Sequence, residues 1–303
     1  LAIATQDRQR SSRPFRYFTS LCAPIFQGNG VTCRSGPCQS TRPYYTQSKK
    51  SSILAIEQPE LFAKTALVVE DEITDGAFYA FLFSNLRDVI GVPSVSCEWL
   101  HGGGERTLDV ARNRVRDGRI VTVIVDTDAH SPACPRPEKL RSLELLASQE
   151  RWPLIFVHPT PCKETENLIP LDVVEMLEGA ADRANELQFL RNIQDGERAE
   201  RAEPRTAYWL YFDIKNGVDH LYVAGLHAAA KEWTASKISY ARLTSEEFDF
   251  GGFGNHVVPQ VMRQNALSAR LRDCVRRRDW LHVFGEFIAE VMWPCVCGVR
   301  QFT

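Results

Sequence analysis

From about residue 65 the hydrophobic positions fall into short unbroken runs separated by longer stretches of helical spacing. Ala66-Leu67-Val68-Val69 is followed by a helix-like segment from Thr74 to Val89, an apolar stretch from Ser94 to Leu100, the Gly102-Gly103-Gly104 turn, and a second helix-like segment from Glu105 to Arg116. Then come Ile120-Val121-Thr122-Val123-Ile124-Val125, a Pro-rich turn, a helical pattern over Glu138 to Gln149, and Leu154-Ile155-Phe156-Val157. The order is β-α-β-α-β-α-β. Runs this continuous mark strands buried on both faces, and helical crossovers between them impose parallel pairing. The expected fold class is therefore α/β, a Rossmannoid parallel sheet flanked by helices. Beyond Pro170 the pattern predicts a mainly helical C-terminal region over 171–303. It contains a long helix from Leu171 to Ile193, a charged linker from Asp195 to Pro204, one more strand over Tyr208 to Ile214, and helices over Leu221 to Trp233 and Val257 to Val291.

Composition narrows the class. With 44% hydrophobic and 24% charged residues the chain is an ordinary globular one. No apolar run approaches the roughly 20 residues that a membrane-spanning helix needs, so no membrane association is expected. The net charge of −2 is unevenly spread: residues 1–52 carry Arg8, Arg10, Arg13, Arg16, Arg34, Arg42, Lys49 and Lys50 against Asp7 alone, +7, which leaves −9 for the rest. The leader over 1–52 lacks helical or strand periodicity and is expected to be loosely held, a dispensable basic tail more readily than an arm that touches nucleic acid. The acidic remainder attracts divalent cations and repels polynucleotides unless basic patches or metal ions bridge the phosphates. Nine cysteines without a C-x-x-C pair fit free thiols in a reducing, cytoplasmic setting, and Cys295-Val-Cys297 with only His282 nearby is too sparse for structural zinc.

The residues that follow the apolar runs carry the chemistry. The first run ends in Glu70-Asp71-Glu72, the third in Asp126-Thr127-Asp128, and the fourth leads through His158-Pro159-Thr160-Pro161 to Glu164-Thr165-Glu166-Asn167. In a parallel sheet all three clusters emerge at one edge, where open α/β sheets gather their chemistry. Converging carboxylates repel one another unless a cation lies between them. Hard oxygen ligands suit Mg²⁺ or Mn²⁺, which hold phosphate oxygens and activate water. Metal-dependent phosphodiester chemistry is the leading reading, against the plainer one that such acids cap helices and solubilise strand ends.

A Glu closing the first strand and an Asp-x-Asp closing the third, within this element order, resemble the TOPRIM domain of topoisomerases, bacterial primases, recombination mediators and nucleases of the overcoming-lysogenization-defect (OLD) type. Glu164-x-Glu166-Asn167-Leu168 and Phe78-Tyr79 are most similar to the OLD-like branch, which includes small TOPRIM proteins of bacterial anti-phage systems. The resemblance covers about residues 64 to 170, within an expected catalytic domain over 53–170, with a weaker echo at Asp213-Ile214-Lys215-Asn216-Gly217. It implies Glu70 as metal ligand or general acid/base, Asp126 and Asp128 as metal ligands, Glu166 as a second-metal ligand with Glu164 as a weaker one, and Lys215 as a neutraliser of the scissile phosphate. It also implies a DNA or RNA substrate and a role as toxic effector in anti-phage defence. The ATPase partner is implied because this chain has no G-x-x-x-x-G-K-[ST], and Gly102-Gly103-Gly104 lacks the lysine. The chain departs from the family at Asp71, where glycine is usual, and at Asp75, where the next acid stands shifted by one. Whether copies assemble as a homo-oligomer stays open.

Two other classes compete. A phospho-receiver would use the acids after the first strand and Asp126, with Thr160 as its hydroxyl, but the chain has no Lys-Pro and the receiver gives Asp128, Glu164 and Glu166 no role. A non-catalytic binding module would use Arg270, Arg272, Arg276, Arg277 and Arg278 as a phosphate grip, though a solvated helix face explains them more simply. Trp209, Trp233, Trp280 and Trp293 read as core anchors, and His130 as a loop residue near the acids.

Overall fold

The computed structural model describes residues 63–92, 94–149, 154–242 and 248–296; the basic leader over 1–52 lies outside them. Thr65–Val69 forms β1, all of it buried. It pairs in parallel with β2 (Cys97–His101) on one side and with β3 (Val121–Val125) on the other, and β3 pairs with β4 (Ile155–Pro159), giving the order β2-β1-β3-β4.

Alternation within the apolar runs sorts side chains to two faces. Leu67, Val69 and Ile124 join Phe78, Tyr79, Leu82 and Leu86 of α1 (Thr74–Ile90). Ala66, Val68, Val121, Val123 and Val125 join Ala111 and Val115 of α2 (Thr107–Arg116) and Leu143 and Leu146 of α3 (Glu138–Gln149). Helices thus cover both faces, and each fully buried Leu or Val contributes about 1.5–3 kcal/mol of transfer free energy. Gly91 ends α1 in a left-handed cap at φ 81°, a conformation that suits glycine.

The C-terminal region is helical and completes the α1 face. It comprises α4 (Leu171–Val174), α5 (Ala184–Ala199), α6 (His220–Gly225), α7 (Ala228–Ile238), α8 (Val257–Arg263), α9 (Asn265–Val275) and α10 (Arg278–Met292), with a small antiparallel pair, β5 (Gly217–Asp219) and β6 (Asp249–Gly251). Buried residues from α5, α9 and α10 belong to the same cluster as Leu67 and Val69.

The expected long helix over Leu171 to Ile193 is divided. Gly179 turns left-handed at φ 81°, a short 3-10 turn follows, and α5 then runs on to Ala199 through the start of the expected linker. Tyr208 to Ile214 is not a strand. Tyr208, Leu210, Phe212 and Ile214 are all buried, which produces the alternating pattern, but Tyr208–Leu210 curls into a 3-10 turn. Val257 to Val291 divides into α8, α9 and α10 at Gln264 and Arg277, whose backbones are extended.

Four of the five clustered arginines are engaged within the fold. Arg270 and Arg277, together with Arg191 of α5, converge on Asp172 at 3.1, 3.1 and 2.9 Å. Arg276 pairs with Asp88 at 2.6 Å, and Arg272 Nε donates to Asn85 Oδ1 at 2.9 Å. These contacts tie α9 and the start of α10 to α1, α4 and α5. Trp280 is buried, its Nε1 donating to Leu168 O at 2.9 Å, while Trp209, Trp233 and Trp293 are half-buried. Among the described residues no helix is long and apolar enough to cross a membrane.

Candidate functional site

The chain leaves β1 for β2 in one direction and returns to β3 on the other side, so the strand order reverses between β1 and β3. Ligand crevices of open α/β sheets lie at such a reversal, beyond the carboxyl ends of the strands. Glu70 directly follows β1 and Asp126 directly follows β3, one on each side of it.

Glu70 stands at the rim, its side chain 42% exposed, with Lys139 Nζ of α3 at 3.4 Å from its Oε1. The glycine turn is fitted against it. Gly102 N donates to Val69 O at 2.7 Å, and a Cβ on Gly102 would meet that oxygen at 2.8 Å. Gly104, at φ 61°, leaves 3.2 Å between its would-be Cβ and Glu70 Oε1. This glycine run therefore serves close packing on the end of β1.

Asp126 is buried and accepts from Thr165 Oγ1 at 3.2 Å; Tyr79 hydroxyl lies 3.3 Å from the same Thr165 oxygen. Phe78-Tyr79, singled out in the sequence, thus reaches the acid pocket through Thr165. Burial pushes the Asp126 carboxyl well above the usual range, and the carboxylates of Asp75, Glu166 and Glu70 push it further. Burial also raises Asp75 to about 6, with Asp71 and Glu70 adding to it. Asp75 Oδ2 accepts from Asp71 N at 2.9 Å, while the Asp71 carboxylate, held low chiefly by the Thr74 hydroxyl, accepts from Thr74 Oγ1 at 2.5 Å. Asp71 thus organises the turn into α1 at the position where the resembled family has glycine.

Glu164 and Glu166 are buried and share Lys215, whose Nζ lies 2.9 Å from Glu164 Oε2 and 3.2 Å from Glu166 Oε1. Burial raises both carboxyls against the pull of this lysine. Lys215 is held above the ordinary lysine range because the two carboxylates outweigh its own desolvation. A rigid turn presents it: Asn216 N donates to Asp213 Oδ1 at 2.8 Å, Gly217 sits at φ 86°, and Lys163 Nζ bonds Asp213 Oδ2 at 2.7 Å in a buried ion pair. Burial alone would raise Asp213, but Lys163 and Asn216 hold it low.

The structure therefore brings Glu70, Asp75, Asp126, Glu166 and Lys215 into one electrostatic neighbourhood, with Glu164 joined through Lys215. Asp128 stands apart. It is exposed, its backbone is left-handed at φ 49°, and its N–H donates to Lys163 O at 2.9 Å. His130 is half-buried against the Tyr222 ring and hydroxyl, and burial followed by Lys163 lowers its pKa. The Thr160 hydroxyl is spent on backbone, donating to Cys162 O at 2.9 Å and accepting from Thr127 N at 3.3 Å. Sequence reasoning missed Lys139, Thr165 and the Lys163–Asp213 pair. A basic residue at the start of α3 was the only available signal for the first.

Among the described residues no group of three or more His, Cys, Asp or Glu side chains is arranged to hold a metal ion. Mg²⁺ does not require such a cage, because it keeps several waters and takes one or two carboxylates together with substrate phosphate oxygens. Glu70 and Asp126, one on each side of the strand-order reversal, are carboxylates of that kind. Comparison with protein-family models, curated proteins and solved structures returns no match.

Proposed function

We propose that this chain is a divalent-metal-dependent nuclease that hydrolyses phosphodiester bonds in DNA or RNA at the crevice between β1 and β3. The observation that carries the reading is the placement of Asp126: a buried carboxyl at the strand-order reversal whose ionisation is opposed by burial and by three neighbouring acids. A buried, perturbed carboxyl at a crevice marks a candidate functional site, and a bound cation would favour its ionised form. Asp126 and Glu70 would hold Mg²⁺ or Mn²⁺, which when bound supplies positive charge to phosphate oxygens and lowers the pKa of a water. Thr165 orients the Asp126 carboxylate. Glu70, at the exposed rim, takes the proton of the attacking water. Lys139 and Lys215 bring positive charge to an otherwise acidic pocket and draw in the phosphate. The role as a defence effector with an ATPase partner rests on the sequence resemblance and is part of the same proposal.

The test is incubation of the full chain with DNA and RNA panels, with and without Mn²⁺. Cleavage should require the cation, and Asp126→Asn and Glu70→Gln should each lower it by about 10²-fold or more, the scale of a lost acid–base group. Both variants should retain the far-ultraviolet spectrum of the parent. Undiminished cleavage in both, or no cleavage of any substrate, refutes the reading.

A further inference from the structure

A separate cavity of about 480 Å³ is walled by β4, the loop after β3, and α10. Thr127 and Thr160 line it. Thr127 directly follows Asp126, and Thr160 N donates to Val125 O, the last residue of β3, at 2.9 Å. The cavity therefore begins one residue from the carboxyl at the strand-order reversal. Its size is that of a small-molecule site.

The polar groups of this cavity are acceptors. His158 of β4 lines it with its side chain only 11% exposed, and its Nε2 is buried with no hydrogen-bond partner among the described residues. Such an orphaned atom costs free energy until a ligand or water meets it. Burial pushes the imidazole down to about 4, so the ring is neutral at neutral pH and carries a single N–H. Nδ1 lies 3.9 Å from Glu290 Oε2, and that carboxylate favours the tautomer with the proton on Nδ1, which leaves Nε2 an acceptor. Glu290 lines the same cavity and has no Lys or Arg partner among the described residues, whereas its neighbour Glu286 has Arg205 at 3.3 Å. Two carboxylate oxygens and one imidazole nitrogen thus stand ready for N–H donors, between the flat apolar walls of Pro161, Tyr211 and Phe287.

A planar ring bearing adjacent donors fits this lining, and unstacked nucleobases are read by such edge hydrogen bonds between apolar walls. Guanine offers N1–H and both hydrogens of its N2 amine along one edge. Hypoxanthine is the same ring without the amine, and adenine has neither the amine nor the N1–H. We propose that the His158/Glu290 cavity takes up an unstacked guanine of the nucleic-acid strand, with N1–H and one N2–H donated to Glu290 and the other N2–H donated to His158 Nε2. The inference rests on the nuclease reading and adds to it a base preference close to the scissile phosphate.

The experiment titrates the full chain, with Ca²⁺ in place of Mg²⁺ or Mn²⁺, into fluorescein-labelled thymidine octamers that carry guanine, hypoxanthine or adenine at the fourth position, and reads binding by anisotropy. The guanine strand should bind about tenfold more tightly than the other two, the discrimination expected of one good bidentate contact. Glu290→Gln and His158→Phe should each bring the guanine strand to the affinity of the hypoxanthine strand and leave the latter unchanged. Glu290 is half-exposed, so Glu290→Gln decides should His158→Phe not fold. Equal affinities in the parent chain, no binding of any octamer, or a preference retained in Glu290→Gln would overturn the proposal. So would deoxyguanosine monophosphate displacing the guanine strand at concentrations near that strand's own Kd, which would make the ligand a free nucleotide. Metal-dependent cleavage of the DNA and RNA panels is scored separately: cleavage without a guanine preference removes the cavity's role alone, and a guanine preference in a chain that cleaves nothing removes the nuclease alone.

Discussion

Asp75→Asn separates the electrostatics of the acid pocket from its chemistry. The Asp75 carboxyl is moved from 3.8 to about 6, mainly by burial and further by Asp71 and Glu70. At 1.36 kcal/mol per unit, a rise of about two units means that ionised Asp75 opposes folding by about 3 kcal/mol. The sign follows from linkage. The native state binds this proton more tightly than the unfolded chain does, so the penalty is absent below about pH 4, grows through the interval to about 6, and is complete above it. Asparagine cannot ionise, and its Oδ1 can still accept the Asp71 N–H. The variant should therefore be the more stable protein at neutral pH. Its melting temperature should rise by several degrees, at roughly 2–4 °C per kcal/mol for a chain of this size. Thermal or urea melts of both proteins across this pH range provide the assay, and the gap between them should close towards about pH 4. If Mg²⁺ binds this crevice as proposed, it should narrow the gap at neutral pH, because the ionised Asp75 of the parent favours the cation more than asparagine does and tighter binding to the folded form stabilises it more. A variant no more stable than the parent at neutral pH, or a gap that does not change with pH, refutes the reasoning.

Two further substitutions test the frame around the pocket. Lys215→Met should destabilise by about 3 kcal/mol, the cost of leaving buried carboxylates without their partner, and adding Glu164→Gln and Glu166→Gln should recover much of that loss in urea titrations. Gly217→Ala should be more damaging than the left-handed backbone alone, about 1–2 kcal/mol, because its Cβ would fall 2.0 Å from Phe250 O. Opening of the β5–β6 pair is the expected result, read by hydrogen exchange at Val218 and Phe250.

Much of the sheet was legible because burial on both faces writes unbroken apolar runs, as in Val121–Val125, and α3 matches its pattern from Glu138 to Gln149. The C-terminal region was less so. α4 stops at Val174 and the chain turns left-handed at Gly179 before α5, while extended residues at Gln264 and Arg277 separate α8, α9 and α10, and a continuous apolar period does not reveal such breaks. Tyr208 to Ile214 alternates because every second side chain enters the core, and that pattern is the same for a strand and for a curled turn. In the site, the carboxylates could be placed at one edge from topology alone. Their pairings could not, since the partners of Glu164 and Asp126 come from Lys215 and Thr165 in other loops. The exposed, left-handed Asp128 is set by the Lys163 carbonyl, which no local spacing encodes.

The ammonium group seated between Glu164 and Glu166 gives this protein an internal counter-ion. Zinc-finger-like domains unravel in chelator because the metal is their structural cement; here the Glu164/Glu166 half of the pocket is already supplied with positive charge by a tethered residue. Stripping the protein with EDTA should leave a folded, refillable scaffold, so that any activity lost on stripping and regained on adding metal back reports on catalysis alone.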